Sequence, residues 1–316
     1  MPGTVAYHLP VMARQTIEML RPKALDGISV DCTLGGGGHS EKLLGLAGKT
    51  GRVIGIDQDE DAITEAKARF AGNPAFIALR GNFSEIRELL GSIGITSVNA
   101  VLMDLGVSSH QLDTAERGFS FRFESKLDMR MDRRQELSAA DIVNTYSEEQ
   151  LADIFFRYGE EKFARRIASR ITRARASRSI TDTSQLASIV SDAIPAKARS
   201  AHRHPATKVF QALRIAVNNE MEVLAAGLES AIGLLEPEGL IAVITYHSLE
   251  DRIVKDTFSS KLGRCVCPKE IPVCVCHPVK ELELVARHPI TPDDDEIKAN
   301  PRARSAKLRV ARRVSL

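Results

Sequence analysis

Four consecutive glycines, Gly35 to Gly38, lie within the string Asp31-Cys-Thr-Leu-Gly-Gly-Gly-Gly-His39-Ser40. With no Cβ in the way, such a run lets the backbone turn sharply and come close to a ligand. Dinucleotide sites use spaced glycines that seat a pyrophosphate on a helix N-terminus, and this run does not follow that spacing. Exposed backbone groups of this kind also suit an amino-acid moiety, while a tight strand-to-helix turn is the bland alternative. About twenty residues further on come Asp57 and Asp59, and a carboxylate there can accept two hydrogen bonds from a ribose diol. Arg80-Gly-Asn-Phe83 offers an aromatic ring where an adenine would lie, and Asp104-Leu-Gly-Val-Ser-Ser adds another carboxylate.

These groups need a frame, and the hydrophobic pattern supplies one. Strand-like runs at Ile28–Asp31, Arg52–Asp57, 75–80 and 100–104 alternate with helical stretches at 40–46, 59–70 and 84–91. Alternation of this kind predicts right-handed βαβ units and a parallel sheet covered on both faces, an α/β fold. Functional groups then recur at four successive strand C-termini, the edge where open α/β sheets bind ligands. From 112 to 206 the strand pattern stops and only helical stretches and polar turns remain. It resumes at 240–245, after a long helical region at 207–235 closed by Pro237-Glu-Gly, and two more strand candidates follow at 282–287 and 307–311. The spacing predicts one split α/β domain, 1–111 and 207–316, interrupted by an all-helical insertion at 112–206.

A content of 43% hydrophobic and 27% charged residues in 316 excludes disordered, collagen-like and coiled-coil classes. The opening residues lack a basic segment followed by an apolar stretch, and no apolar run approaches the roughly 20 residues that span a bilayer. The expectation is a cytoplasmic protein with no membrane partner. Its net charge of +2 hides a segregation. Residues 162–208 hold eleven Lys or Arg against Asp182 and Asp192 alone, and residues 302–313 hold six basic residues and no acidic one. Such segregation fits a polyanion-facing surface, with a solvated helix face as the competing account. Within 161–180, Phe163, Ile167 and Ile171 form an apolar stripe at i, i+4, i+8, and Arg165, Arg166, Arg170, Arg173 and Arg175 lie around it, most of them away from it. These arginines are candidate phosphate contacts, which position RNA without reading it. Phe119, Phe121 and Phe123 alternate; they stack on a flipped base or, the favoured reading, belong to the core. Cys265, Cys267, Cys274 and Cys276 form two close pairs that are candidates for a structural zinc site, with reduced thiols as the alternative.

Read in order, the chain resembles the bacterial 16S ribosomal RNA (cytosine-N(4)) methyltransferase family. The strings that carry the resemblance begin with His8-Leu-Pro-Val, the glycine string, Arg80-Gly-Asn-Phe and Asp104-Leu-Gly-Val-Ser-Ser-His-Gln-Leu-Asp113. They continue through Arg117-Gly-Phe-Ser-Phe, Leu127-Asp-Met-Arg-Met-Asp and Ala206-Thr-Lys-Val-Phe-Gln-Ala-Leu-Arg-Ile-Ala-Val-Asn-Asn-Glu220. They end with Tyr246-His-Ser-Leu-Glu-Asp-Arg252 and Asn300-Pro-Arg-Ala-Arg-Ser305. The resemblance implies a class I, Rossmann-like methyltransferase fold with an inserted helical domain. It implies S-adenosyl-L-methionine as cofactor, held by Gly37, Gly38, His39, Asp57, Phe83, Asp104 and Gln111. The implied substrate is 16S ribosomal RNA of the small subunit, at a cytidine of the decoding region methylated on its exocyclic amine. Ser125-Lys126, where the family has Gly-Pro, and Cys32, where it has a smaller residue, depart from the pattern away from the cofactor positions.

A cytosine amine is a poor nucleophile because its lone pair is delocalised into the ring. The catalyst must position it in line with an activated methyl and provide an acceptor for its proton. Where many amino-methyltransferases carry Asn/Asp-Pro-Pro-aromatic, this chain has Asp104-Leu-Gly-Val, so Asp104 faces the cofactor, the amine, or both. The loop Tyr246-His247-Ser248 after the fifth strand is a second candidate, for cradling the base, with His247 and Ser248 as further catalytic candidates and a structural histidine as the alternative for His247. A nicotinamide-dependent dehydrogenase would share the sheet but not the unspaced glycines. A non-catalytic RNA-binding protein would share the basic surfaces but has no use for Asp57 and Asp104.

Overall fold

The computed structural model describes residues 10–200, 204–264 and 279–315. The chain divides into two units, Met1–Gly106 with Met221–Leu316, and Val107–Glu220. The first unit is built on seven strands: β1 Ile28–Asp31, β2 Arg52–Asp57, β3 Phe76–Arg80, β4 Val98–Asp104, β5 Leu235–Thr245, β6 Leu282–Leu284 and β7 Lys307–Arg313. They are ordered β3-β2-β1-β4-β5-β7-β6. The first five run parallel, and β7 runs antiparallel to both its neighbours. This is the strand order of the class I methyltransferase fold.

Side chains alternate across the sheet and sort into two cores. Val101 and Met103 of β4, with Ile241 and Val243 of β5, point to one face. There they meet α4 (Ile86–Gly91), α11 (Glu220–Leu234) and α12 (Ser248–Ser260). Ala100, Leu102, Ala242 and Ile244 point to the other face, where Leu20 and Leu43 belong to α1 (Ala13–Ala24) and α2 (Gly38–Leu46). α3 (Glu60–Arg69) packs on β2 and β3. α13 (Asp294–Ala299) supplies Glu296, whose carboxylate accepts the N–H of Met12 and the Gln15 amide at the start of α1. The fifth strand is longer than its apolar run. It starts at Leu235, which pairs with Val98, and a register shift carries the Pro237-Glu-Gly turn before regular pairing resumes at Leu240.

The second unit contains α5 (Ser109–Asp113), α6 (Ala139–Thr145), α7 (Glu148–Arg157), α8 (Ala164–Ser177), α9 (Thr183–Ala193) and α10 (Thr207–Asn218). They enclose one apolar core that includes Phe155, Ile167, Ile171, Leu186, Val190 and Leu213. Ser138, Ser147 and Asp182 cap α6, α7 and α9 by accepting from backbone N–H groups, which sets these helix starts. The helical region expected over 207–235 is two helices. Asn219 takes a left-handed conformation (φ 50), which asparagine tolerates, and ends α10. Arg214 and Glu220 pair across the break at 2.7 and 2.8 Å. Since α10 packs on α6 and α7, it belongs with the helical unit rather than with the second part of the α/β domain.

Two of the sequence strings serve this packing. Fully buried Arg117 donates to the carbonyls of Arg130 and Met131, and Asn218 bonds Met129 O and Met131 N. The string at 127–132 is thereby pinned as a loop. The alternating phenylalanines divide. Phe119 is core and Phe121 stacks on His204 at 4.5 Å and meets Phe210 edge-on, but Phe123 is 44% exposed, so the core reading does not extend to it. Among the described residues no helix is long and apolar enough to cross a membrane.

Candidate active site

The glycine turn is locked by groups from two neighbouring elements. Gly35 (φ 47) donates its N–H to Asp57 Oδ2 at 2.8 Å, and Arg69 of α3 donates to the Gly36 carbonyl at 2.6 Å. Gly37 (φ 75) is the residue that turns the chain into α2, and a Cβ there would stand 2.9 Å from the Phe70 ring. Both conformation and space therefore require glycine at 37. Gly36 stays exposed at the top of the turn.

Asp57 closes β2 beside that turn and also accepts the Asp59 N–H at 2.9 Å. Enclosure of the carboxyl raises its pKa to about 6, against the pull of the Asp59 and Gly35 N–H groups; the charges of Asp59 and Asp31 raise it further. For a carboxyl raised above its unfolded value, the contribution to stability is present below the unfolded pKa and is lost as pH rises through about 6. Accepting from a ribose diol needs the ionised form. The affinity for a nucleoside cofactor is therefore expected to be flat above pH 6 and to fall about tenfold per pH unit below it. Calorimetric Kd values for S-adenosylhomocysteine from pH 8 to 5 check this, and a flat profile would contradict it.

Phe83 follows β3, and its neighbourhood contains a residue that the sequence reading passed over. Gly227 lies within α11, where helical backbone makes no demand for glycine. A Cβ there would come within 2.4 Å of the Phe83 ring and 3.3 Å of its carbonyl. The glycine is explained by close approach of that ring, which it holds against the helix. A glycine at the middle of a regular helical pattern was the available signal.

Asp104 ends β4 with three contacts. Its N–H donates to Thr33 Oγ1 at 2.6 Å, its Oδ1 accepts the Tyr246 hydroxyl at 2.7 Å, and its Oδ2 lies 3.4 Å from His39 Nε2. His39 is buried, which works against its charge, but the carboxylates of Asp104 and Asp31 outweigh burial and raise its pKa. Asp31 is itself raised by burial, opposed by His39 and by the Ser40 hydroxyl that donates to it at 2.8 Å. A profile of the MraW methylase family matches residues 5–314. The chain belongs to that family. Ribosomal RNA small subunit methyltransferase H of Carboxydothermus hydrogenoformans is 48% identical over 309 residues, 98% of each chain. Proteins of the same name from Fusobacterium nucleatum (48% identical; 98% of this chain, 97% of that one) and Clostridioides difficile (46%; 98% and 99%) match over 309 residues as well.

Within this member of the family, the fifth strand brings Tyr246 to Asp104, not His247 or Ser248. His247 is the N-cap of α12, with Nδ1 accepting the Glu250 N–H at 3.4 Å and Nε2 3.0 Å from Glu250 Oε1. Ser248 is the exposed first residue of that helix. The structural alternative for His247 thus describes its contacts. Gln111 lies in the helical unit, where it is buried and completes the capping box of α5 with Ser108.

On α8 the expected stripe is realised by Ile167, Ala168 and Ile171, all fully buried, whereas Phe163 stands at the N-cap position. Arg165, Arg166, Arg170 and Arg173 are exposed and meet no carboxylate among the described residues. Arg175 differs: its guanidinium donates to the Val143 carbonyl at 2.7 Å. In the second basic run, at least four of the six basic residues are paired. Lys307 and Arg309 pair with Asp251, Arg312 with Glu238 and Glu283, and Arg313 with Glu281. Carboxylates distant in sequence thus pair with the basic residues of β7, while Arg304, outside that strand, stays exposed. The zinc candidates Cys265, Cys267, Cys274 and Cys276 lie outside the described residues, and among those described no group of three or more His, Cys, Asp or Glu is arranged to hold a metal. Cys32 is buried with a free thiol whose pKa burial pushes up.

Proposed function

We propose that the chain transfers a methyl group from S-adenosyl-L-methionine to the exocyclic N4 of a cytidine in the decoding region of 16S ribosomal RNA. The observation that carries this reading is the convergence of the locked glycine turn, Asp57, Phe83 and Asp104 at the C-terminal ends of four adjacent parallel strands. That donor set fits the cofactor. Gly37, Gly38 and His39 suit its amino-acid part, Asp57 its ribose diol, Phe83 its adenine and Asp104 the region of the transferred methyl. When bound, the cofactor supplies a methyl on a sulfonium, whose carbon–sulfur bond breaks with its electron pair left on sulfur. The chain's own task is to hold the amine in line and receive its proton. As the nitrogen lone pair becomes the new N–C bond, the proton passes to an Asp104 oxygen, an anion steadied by Tyr246 and His39.

The RNA partner rests on the names of the relatives and on α8. Arginines in the first turn of a helix oppose its macrodipole, by about 0.3–1 kcal/mol each at an exposed site. Arg165 and Arg166 stand there, with no acidic residue in that turn and no side-chain cap. Helix stability does not explain them, whereas contact with phosphate does. Calorimetry with S-adenosylmethionine tests the cofactor assignment directly. One-to-one binding is expected, and a protein that binds none would fit an assembly factor instead.

A further inference from the structure

We propose that Tyr246 is a positioning residue for Asp104, and that the segment from Tyr246 to Glu250 serves to aim its phenol. The inference rests on the reading of Asp104 as proton acceptor. It starts from the fact that side chains from different elements face the two oxygens of the Asp104 carboxylate, and that the hydrogen bond to it comes from Tyr246. Tyr246, just beyond β5, donates to Oδ1 at 2.7 Å, and His39 of α2 faces Oδ2 at 3.4 Å. The main chain of Asp104 is tied separately, through Thr33 Oγ1.

Tyr246 is itself fixed by the first turn of α12. Its N–H donates to Glu250 Oε2 at 2.7 Å, and the same oxygen accepts the His247 N–H at 3.2 Å. His247 Nδ1 accepts the Glu250 N–H in return. Glu250 is only 2% exposed, so this reciprocal cap is a buried clamp on the peptide that carries the phenol. A helix start can be capped adequately by an exposed serine with an exposed partner, as at Ser147 with Gln150. Here the cap residue His247 is half-buried and its partner Glu250 is buried, directly after the residue that reaches Asp104.

Among the described residues, the charged and titratable groups around the carboxylate are few. His39 comes from α2, Asp31 from β1 behind it, and Tyr246 from the loop after β5. Glu250 of α12 and Glu296 of α13 act on Tyr246. Burial first, and then the charge of Asp104, push the phenol pKa well up, so it remains a donor across the working pH range. One fixed donor leaves the rest of the carboxylate free for the amine proton while holding its plane.

The test uses the full-length protein with small ribosomal subunits lacking this methyl group, comparing wild type with Tyr246→Phe from pH 5.5 to 9. Removing a hydrogen bond to a charged group is expected to move the acid limb of the kcat profile up by about one pH unit. At neutral pH, kcat should fall at least about tenfold while KM for cofactor and for subunits changes less than about threefold, since orientation of the acceptor acts on the transition state. A purely structural tyrosine would change the folded fraction and leave the limb where it was. An unmoved limb with kcat within about twofold, or a loss confined to KM for cofactor, would overturn the inference. 3-Fluorotyrosine at position 246 keeps the ring and strengthens the donor. It should move the limb to lower pH, and it carries the test if the Phe variant does not fold. Wild type that binds cofactor but methylates no subunit RNA would instead count against the proposed function.

Discussion

Asp104→Asn is expected to reduce methyl transfer about a thousandfold, in the middle of the range for loss of a positioned acid–base group. Asparagine keeps the shape of the side chain and can still accept the Tyr246 hydroxyl through its amide oxygen. Thr33 Oγ1 still accepts the main-chain N–H at position 104, so the strand end should hold its geometry. What disappears is the negative charge beside His39 and the capacity to take a proton. Cofactor affinity should fall less, by about tenfold at most, because the glycine turn, Asp57 and Phe83 are untouched. Single-turnover transfer from radiolabelled cofactor to small subunits, with calorimetry on the same preparation, separates the two effects. Transfer within about threefold of wild type would remove Asp104 from the chemistry.

The second large effect is expected on the helical unit. Reversing Arg166, Arg170 and Arg173 to glutamate converts one exposed stripe of α8, at i, i+4 and i+7, from positive to negative. Each phosphate contact contributes about 0.9 to the slope of log affinity against log salt, so three lost contacts flatten the slope by nearly three. At about 0.1 M salt the same three contacts amount to a few hundredfold in RNA affinity, before repulsion by the new carboxylates is counted. The helix should survive the change. Ile167, Ala168 and Ile171 keep its buried face, and a glutamate in the first turn favours the macrodipole where Arg166 opposed it. A salt titration of RNA binding measures both the loss and the slope, and cofactor affinity serves as the internal control. Unchanged RNA affinity would refute the phosphate-contact reading of α8.

Much of this site was legible because its signals are local. The strand runs, the acids that end them and the glycine run each depend on neighbours within a few residues, and the structure brings Gly35 and Asp57 into direct hydrogen bonding. The parts that were not legible depend on partners far away in sequence. β6 and β7 swap places in the sheet because β7 pairs directly with β5, an order that no local pattern encodes. The basic run of β7 reads as a free surface until Asp251, Glu281 and Glu283 come beside it. His247 drew attention as an ionisable residue at a strand end, yet the cap it forms with Glu250 turns it into the helix start and leaves Tyr246 facing Asp104. At Asn219, the long helical pattern concealed a break that needs only one residue in the left-handed region.

The most direct test of the central claim is mass mapping of small-subunit RNA from cells lacking this protein. The decoding-region cytidine is expected to lose its base methyl, and purified protein with S-adenosylmethionine should restore it on the isolated subunits. A cytidine that keeps its base methyl in those cells would contradict the assignment.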